Sequence, residues 1–171
     1  HPEVKASLQR RIKALEEEKK ELEKQLEQEL QQQQATSLVL LESIPGIGKR
    51  SACLLLAELG DISRFDSSAA LVAFAGLNPG RFESGTSVHK QSAISRKGSS
   101  HLRHWLYMPS VAGLRWNPLL KSFYQRLTSK GKAKMVALTA CMAKLLRIIY
   151  GVLSSAKPFN PTFAIDNQHS I

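Results

Sequence analysis

The sequence predicts an all-α protein in which an N-terminal coiled-coil helix precedes a basic helical domain. Residues 1–35 space their large apolar side chains in heptads among strong helix formers, and from Thr36 onward the apolar pattern is helical nearly throughout. With 171 residues and 43% hydrophobic side chains, the chain is sized for one packed domain plus an appendage. No run approaches the roughly 18 apolar residues that a membrane span needs, so an integral membrane protein is not expected.

The first helix is expected over residues 1–35. Leu8, Ile12, Leu15, Leu22 and Leu26 fall on the a/d seam of a heptad repeat, Lys19 interrupts that seam, and the other faces are Glu, Lys and Gln. About three heptads make a marginal isolated helix, so a homo-oligomer (dimer or higher) through a coiled coil is expected. The alternative is an exposed helix lying back on its own domain. Gln31 to Gln34 carry the helix onward without apolar anchors.

The domain is assigned to residues 36–157. Leu38, Leu41 and Ile44 share one face ahead of a turn at Pro45, and a second helix runs from about Lys49 to Leu59. A short helix from about Ser67 to Ala75 takes Ser67 as its N-cap. Residues 76–98, GLNPGRFESGTSVHKQSAISRKG, hold four glycines and five Ser or Thr without a clear period. That composition reads as a long loop or short hairpin, and long loops inside compact domains are often functional. Helices are expected at about 99–116, 118–128 and 133–154, followed by an extended tail over 158–171 that contains Pro158 and Pro161.

Charge divides the chain at the same place as composition. Residues 1–35 carry seven Lys and Arg against eight Glu, whereas residues 36–171 carry 17 basic and six acidic side chains, a surplus of +11. Such a surplus on a small domain attracts polyanions, of which DNA and RNA are the usual ones, although it also serves solubility. Two cysteines, Cys53 and Cys141, are too few for a disulfide framework or a Cys-rich zinc site and suit a reducing, cytoplasmic setting. The sequence opens on His1 rather than Met and without a signal peptide, so a piece of a longer protein is expected.

Two segments carry chemistry. In SIPGIGKRSACLLLAELG, residues 43–60, one helix ends, Pro45-Gly46-Ile47-Gly48 turns tightly and a second helix starts at once. Glycines leave backbone N–H groups uncovered at a helix N-terminus, where the dipole favours an anion, and Lys49 and Arg50 add charge there. The segment resembles the helix-hairpin-helix module, whose hairpin amides hold a nucleic-acid phosphate. Ile44, Ile47, Ala52, Leu55 and Leu56 match its apolar positions. A plain helical corner without a ligand is the other reading. In the second segment Ser84-Gly85 sits between Arg81 and a basic series, Lys90, Arg96, Lys97 and Arg103. A serine can attack phosphorus if it is deprotonated and the target oxygens are neutralised, but a serine in a Gly-rich loop is weak evidence by itself.

The series IPGIG, LLLAELGDISRF, FAGLNP, SG, ISRKG, LRHWLY and GKAKMVALTA, spread over about residues 40–155, resembles the C-terminal domain of a bacterial insertion-element transposase family. That family includes the bridge-RNA-guided recombinases and the Piv-type DNA invertases. The resemblance implies a longer protein, in which a RuvC-like DEDD nuclease domain is joined through a coiled coil to this serine-bearing domain. It implies that Ser84 is a nucleophile forming a transient phosphoserine link to DNA, in a composite site shared between subunits. It implies Mg²⁺ on the DEDD carboxylates, and bridge RNA as a further partner where the family uses one.

This chain departs from the full family pattern. After residue 35 its acids are Glu42, Glu58, Asp61, Asp66, Glu83 and Asp166, too dispersed to hold Mg²⁺, so no cofactor is expected in this chain. By itself it is expected to bind nucleic acid and to cut poorly or not at all. Ser87, Ser92 and Ser95 rival Ser84, which alone sits in the SG pair that matches the family. Nucleic-acid contacts are expected from Gly46, Gly48, Lys49, Arg50, Arg81, Lys90, Arg96, Lys97, Arg103 and the trio Lys130, Lys132 and Lys134 flanking a glycine. His89, His101 and His104 read as phosphate or core contacts before metal ligands. Trp105 and Tyr107 read as core before base-stacking rings, because Leu102, Leu106 and Met108 surround them. No metal site is assigned. The rival function is a non-catalytic helix-hairpin-helix module that dimerises through its coiled coil. No G-x-S-x-G elbow or Walker A loop occurs, which excludes serine hydrolase and P-loop NTPase readings.

Overall fold

The computed structural model describes residues 1–78, 94–95 and 97–161. Among these the chain is helical, with seven α-helices and one short 3-10 turn, and it divides into two compact units, His1–Ala35 and Thr36–Ile171.

The first unit is α1, Pro2–Gln33, with Pro2 in the first turn, where its missing N–H costs nothing. The Gln34 N–H bonds the Leu30 carbonyl at 2.7 Å and closes the helix. Leu8, Ile12, Leu15 and Leu22 are 54–63% exposed and Leu26 is half-buried, so the heptad seam is bare over most of its length in the single chain. A Lys13–Glu17 pair at 4.0 Å spans one turn, and because both side chains are exposed it contributes little.

The second unit holds α2 (Ala35–Glu42) from Thr36 onward and α3 (Lys49–Leu59), then a 3-10 turn at Ile62–Arg64, α4 (Ser68–Phe74), α5 (Ser100–Trp116), α6 (Pro118–Ser129) and α7 (Lys134–Ser155). Local signals start these helices. Ser67 accepts from the Ala70 N–H at 3.2 Å, Ser99 from the Leu102 N–H at 3.0 Å, and Asn117 from the N–H groups of Leu119 and Leu120 ahead of Pro118. The 3-10 turn is absent from the sequence reading, since three residues show no period. Its cap Asp61 accepts from the Ser63 N–H at 2.9 Å, which holds that carboxyl below its ordinary pKa.

The core is built around α7, which packs on α4, α5, α6 and the 3-10 turn, while α5 also packs on α3 and α6. Ala137, Cys141, Leu145, Leu146 and Ile149 of α7 are fully buried, together with Leu71, Leu102, Leu106 and Leu120. By length and composition α7 is apolar enough to cross a membrane, contrary to the sequence reading, because Lys144 and Arg147 are its only charges beyond Lys134. Half of that stretch is buried inside this unit, as for the core helix of a helical domain.

Candidate nucleic-acid interface

The turn from α2 to α3 is anchored by burying Ile44 and Ile47 and is closed by the Ile47 N–H on the Ile44 carbonyl at 3.0 Å. Gly46 has φ +106°, and a Cβ there would come within 2.7 Å of the Gly113 nitrogen, 2.8 Å of its Cα and 2.9 Å of the Pro109 carbonyl oxygen. The turn therefore lies directly on the backbone of α5. Gly48, the N-cap of α3, has nothing within 4 Å of its Cβ position and is exposed with Lys49 and Arg50. An open helix start bearing two exposed cationic side chains suits an anion. Ser43 Oγ accepts from the Phe159 N–H at 2.8 Å and donates to the Leu40 carbonyl at 2.6 Å, which ties the chain beyond α7 to this turn.

A hydrogen-bonded neck joins the two ends of the 76–98 segment. The Ser95 N–H donates to the Asn78 carbonyl at 2.9 Å and its hydroxyl to the Asn78 side-chain oxygen at 2.8 Å. The Ser99 N–H bonds the Phe74 carbonyl at 2.8 Å, and the Ser99 hydroxyl donates to Glu58 at 2.5 Å. Arg103 uses one terminal nitrogen to bond the carbonyls of Ala75 at 2.9 Å and Gly98 at 3.1 Å, gripping both sides of the neck. The sequence reading gives Arg103 to phosphate; the structure gives it this bracket. A Cβ on Gly98 would run into the Phe74 carbonyl and the Gly76 nitrogen, so the two strands of the neck touch.

The expected nucleophile Ser84, its neighbours Arg81, Lys90 and Arg96, the rivals Ser87 and Ser92, and His89 lie outside the described residues. Ser95, the remaining rival, has its hydroxyl committed to Asn78, while Lys97 is exposed beside the neck. Lys130, Lys132 and Lys134 are exposed around Gly131 at the α6–α7 corner, where Gly131 has φ +77°. His101 and His104 are exposed on α5, and the His104 ring meets Trp105 edge-on at 4.7 Å. Among the described residues no three His, Cys, Asp or Glu side chains form a metal-holding group. Trp105 is half-buried, but Tyr107, expected in the core, is 40% exposed, and its neighbour Met108 is 65% exposed, because both fall between the buried rows of Leu102, Leu106 and Pro109. Sequence reasoning misses Arg126 and Lys144, which converge on Phe123 across α6 and α7, and Arg147, which acts on Lys144. Their only sequence signal is a spacing of three on each helix.

Residues 38–125, from α2 through the neck into α6, match the model of the Transposase IS116/IS110/IS902 family. The chain belongs to this family. It is 43% identical over 122 residues to a pilin gene-inverting protein of Moraxella bovis, which covers 71% of this chain and 38% of that protein. It is 32% identical over 114 residues to a 43.6 kDa protein of insertion element IS110 from Streptomyces coelicolor, covering 67% of this chain and 28% of that one. A 42 kDa protein of insertion element IS900 from Mycobacterium paratuberculosis matches at 25% over 159 residues, 92% of this chain and 39% of its own length. The chain thus spans less than two fifths of the length of each of these relatives. The family region includes the turn, the neck and the segment between Asn78 and Ser95; α7, on which that region packs, lies beyond it.

Proposed function

We propose that this chain is the DNA-binding, serine-bearing part of a longer insertion-element transposase or recombinase, with Ser84 as nucleophile. The observation that carries the reading is the neck: within the family region, Asn78, Ser95, Gly98 and Arg103 hold the base of the segment that contains Ser84-Gly85. In the proposed step the Ser84 oxygen bonds to the scissile phosphorus and the bond from phosphorus to one flanking nucleotide oxygen breaks. That oxygen leaves with a proton as a hydroxyl, and the phosphoserine ester holds the other end until a second hydroxyl attacks in reverse. Exposed Lys97 and the α3 start with Lys49 and Arg50 would hold the flanking backbone. The charge surplus of +11 on residues 36–171 supports DNA as the substrate, with bridge RNA as a further partner and the bacterial cytoplasm, at the nucleoid, as the place of action. Mg²⁺ belongs to a DEDD domain in this reading, and no step is assigned to this chain's dispersed acids.

The bare seam of α1 favours homo-oligomerisation through a coiled coil, and it also suits the second reading, a non-catalytic helix-hairpin-helix module that dimerises. The two part at Ser84. The test joins a DEDD domain ahead of residue 1, supplies Mg²⁺ and nicked recombination-site DNA, and looks for a denaturant-resistant protein–DNA adduct. An adduct abolished in Ser84→Ala and kept in Ser87→Ala establishes the nucleophile. Firm DNA binding with no adduct in any version leaves the module reading.

A further inference from the structure

Two cations, Arg126 and Lys144, meet at one aromatic ring on the α6–α7 face, a third, Arg147, acts on Lys144 from one turn along α7, and none of the three is among the residues assigned above to nucleic acid. The Arg126 guanidinium carbon lies 5.2 Å from the centre of the Phe123 ring, and the Lys144 ammonium nitrogen lies 5.0 Å from the same centre. Phe123 and Arg126 are three apart on α6, Lys144 and Arg147 three apart on α7, so each pair shares a helix face where the two helices pack. Phe123 and Lys144 are half-buried at the seam, while Arg126 and Arg147 are exposed beside it.

Among the described residues no carboxylate forms an ion pair with this cluster. Neither α6 nor α7 contains an Asp or Glu, and between Asp66 and Asp166 the chain has one acid, Glu83. Among the described residues the charged and titratable groups that act on Lys144 are Arg126, Arg147 and the Cys141 thiol, with no carboxylate among them. Burial, and then the charges of Arg126 and Arg147, hold the Lys144 ammonium below its ordinary pKa. The ring attracts both cations and offsets part of their mutual repulsion, so Phe123 positions them. With two cations already held at the ring, the cluster calls for negative charge more than for a stacked base.

We infer that Arg126 and Lys144, positioned by Phe123, form with Arg147 a phosphate-binding site for a nucleic-acid backbone, separate from the α2–α3 turn. This rests on the proposed reading of the chain as nucleic-acid-binding. The site reads no sequence, because its groups are cations matched to phosphate oxygens. Lys130, the C-cap of α6, follows Arg126 by one turn and extends the cationic row toward the corner.

The test measures binding of the intact chain to a labelled mixed-sequence duplex across a salt series. The wild type is compared with the double variant Lys144→Gln/Arg147→Gln, with Arg126→Gln, with Phe123→Leu, and with Lys121→Gln, which removes an exposed charge on a different face of α6. Removing one cation from a phosphate should lower the slope of log K against log salt by about 0.9 and weaken binding by nearly tenfold around ~0.1 M salt. The double variant should show one to two such decrements, Arg126→Gln about one, and Phe123→Leu part of one, with Lys121→Gln close to wild type. Should the double variant fail to fold, Arg126→Gln decides alone. A wild type that binds and variants that keep its slope overturn this site while leaving the DNA-binding reading intact. A wild type that binds no nucleic acid overturns both. Inorganic phosphate that raises the melting temperature of the wild type but not of the double variant, with duplex binding equal in the two, overturns the backbone assignment in favour of a free-anion site.

Discussion

Gly46 and Gly48 stand two residues apart in one turn and answer to different constraints. Gly46 combines a φ of +106° with close approach to the backbone of Gly113, so Gly46→Ala should cost on the order of 3 kcal/mol in denaturant unfolding. Gly48 has ordinary N-cap dihedrals and open space, so Gly48→Ser, which adds a capping oxygen, should be neutral or stabilise by a few tenths of a kcal/mol. The sequence shows two equivalent glycines; only the approach of α5 separates them. Cys141 is fully buried, with Sγ 3.9 Å from the Leu120 carbonyl oxygen, and burial pushes its thiol up from 9.0 to about 11, against a smaller opposite pull from Lys144. Between those values the unfolded chain binds fewer protons than the folded one, so stability conferred by this thiol is intact below pH 9 and falls as pH rises toward about 11. Unfolding midpoints measured over that window should fall faster for the wild type than for Cys141→Ala. Parallel curves would count against a buried thiol.

At the scale of elements, capping residues and apolar spacing are legible because they act within one or two turns. The stretch Asn117-Pro118 announces α6, Ser67 announces α4, and Gly60 with φ +59° ends α3 after its buried row of Ala52, Leu55, Leu56 and Leu59. The neck is not legible, because its bonds link Asn78 to Ser95, Phe74 to Ser99 and Glu58 to Ser99, residues far apart in the chain. Arg103 reads as a phosphate ligand for lack of any local partner, and its partners are two carbonyls brought together by folding. Arg103→Ala should lower stability by about 2 kcal/mol, since it removes hydrogen bonds from a charged donor. Hydrogen exchange at the Ser95 and Ser99 amides should speed up in the same variant. Unchanged exchange there would mean that the bracket is not what holds the neck. The bare seam of α1 calls for a different measurement. Sedimentation of the intact chain should show an oligomer that Leu15→Lys dissociates, because a charge placed at a seam position opposes pairing.

Across the whole molecule the informative quantity is where charge lies. Residues 1–35 are almost neutral and residues 36–171 hold the entire surplus, a division visible in composition and matched by the separation into two compact units. Binding driven by that surplus should depend steeply on salt and weakly on sequence: two unrelated duplexes should bind the intact chain within about threefold of one another. A much larger preference, measured by competition, would mean that side chains read base edges. The apolar composition of α7 gains its meaning only at this scale too. A helix long enough to span a membrane is here the centre of a helical unit, because α4, α5 and α6 pack on it and bury half of it while Arg147 stays exposed.

The helices, most of their starts and the segregation of charge follow from the sequence alone, since each depends on neighbours three or four residues away or on plain counting. The motif series also carries the family, which the match over residues 38–125 establishes. Tertiary structure decided which glycine is indispensable, which arginine is spent inside the fold and which cations gather at one ring. Those properties arise where Gly46 meets Gly113, Arg103 meets Ala75 and Gly98, Phe159 meets Ser43, and Lys144 meets Phe123. Each of those meetings is made by helix packing or chain return, and no periodicity within a single segment encodes them.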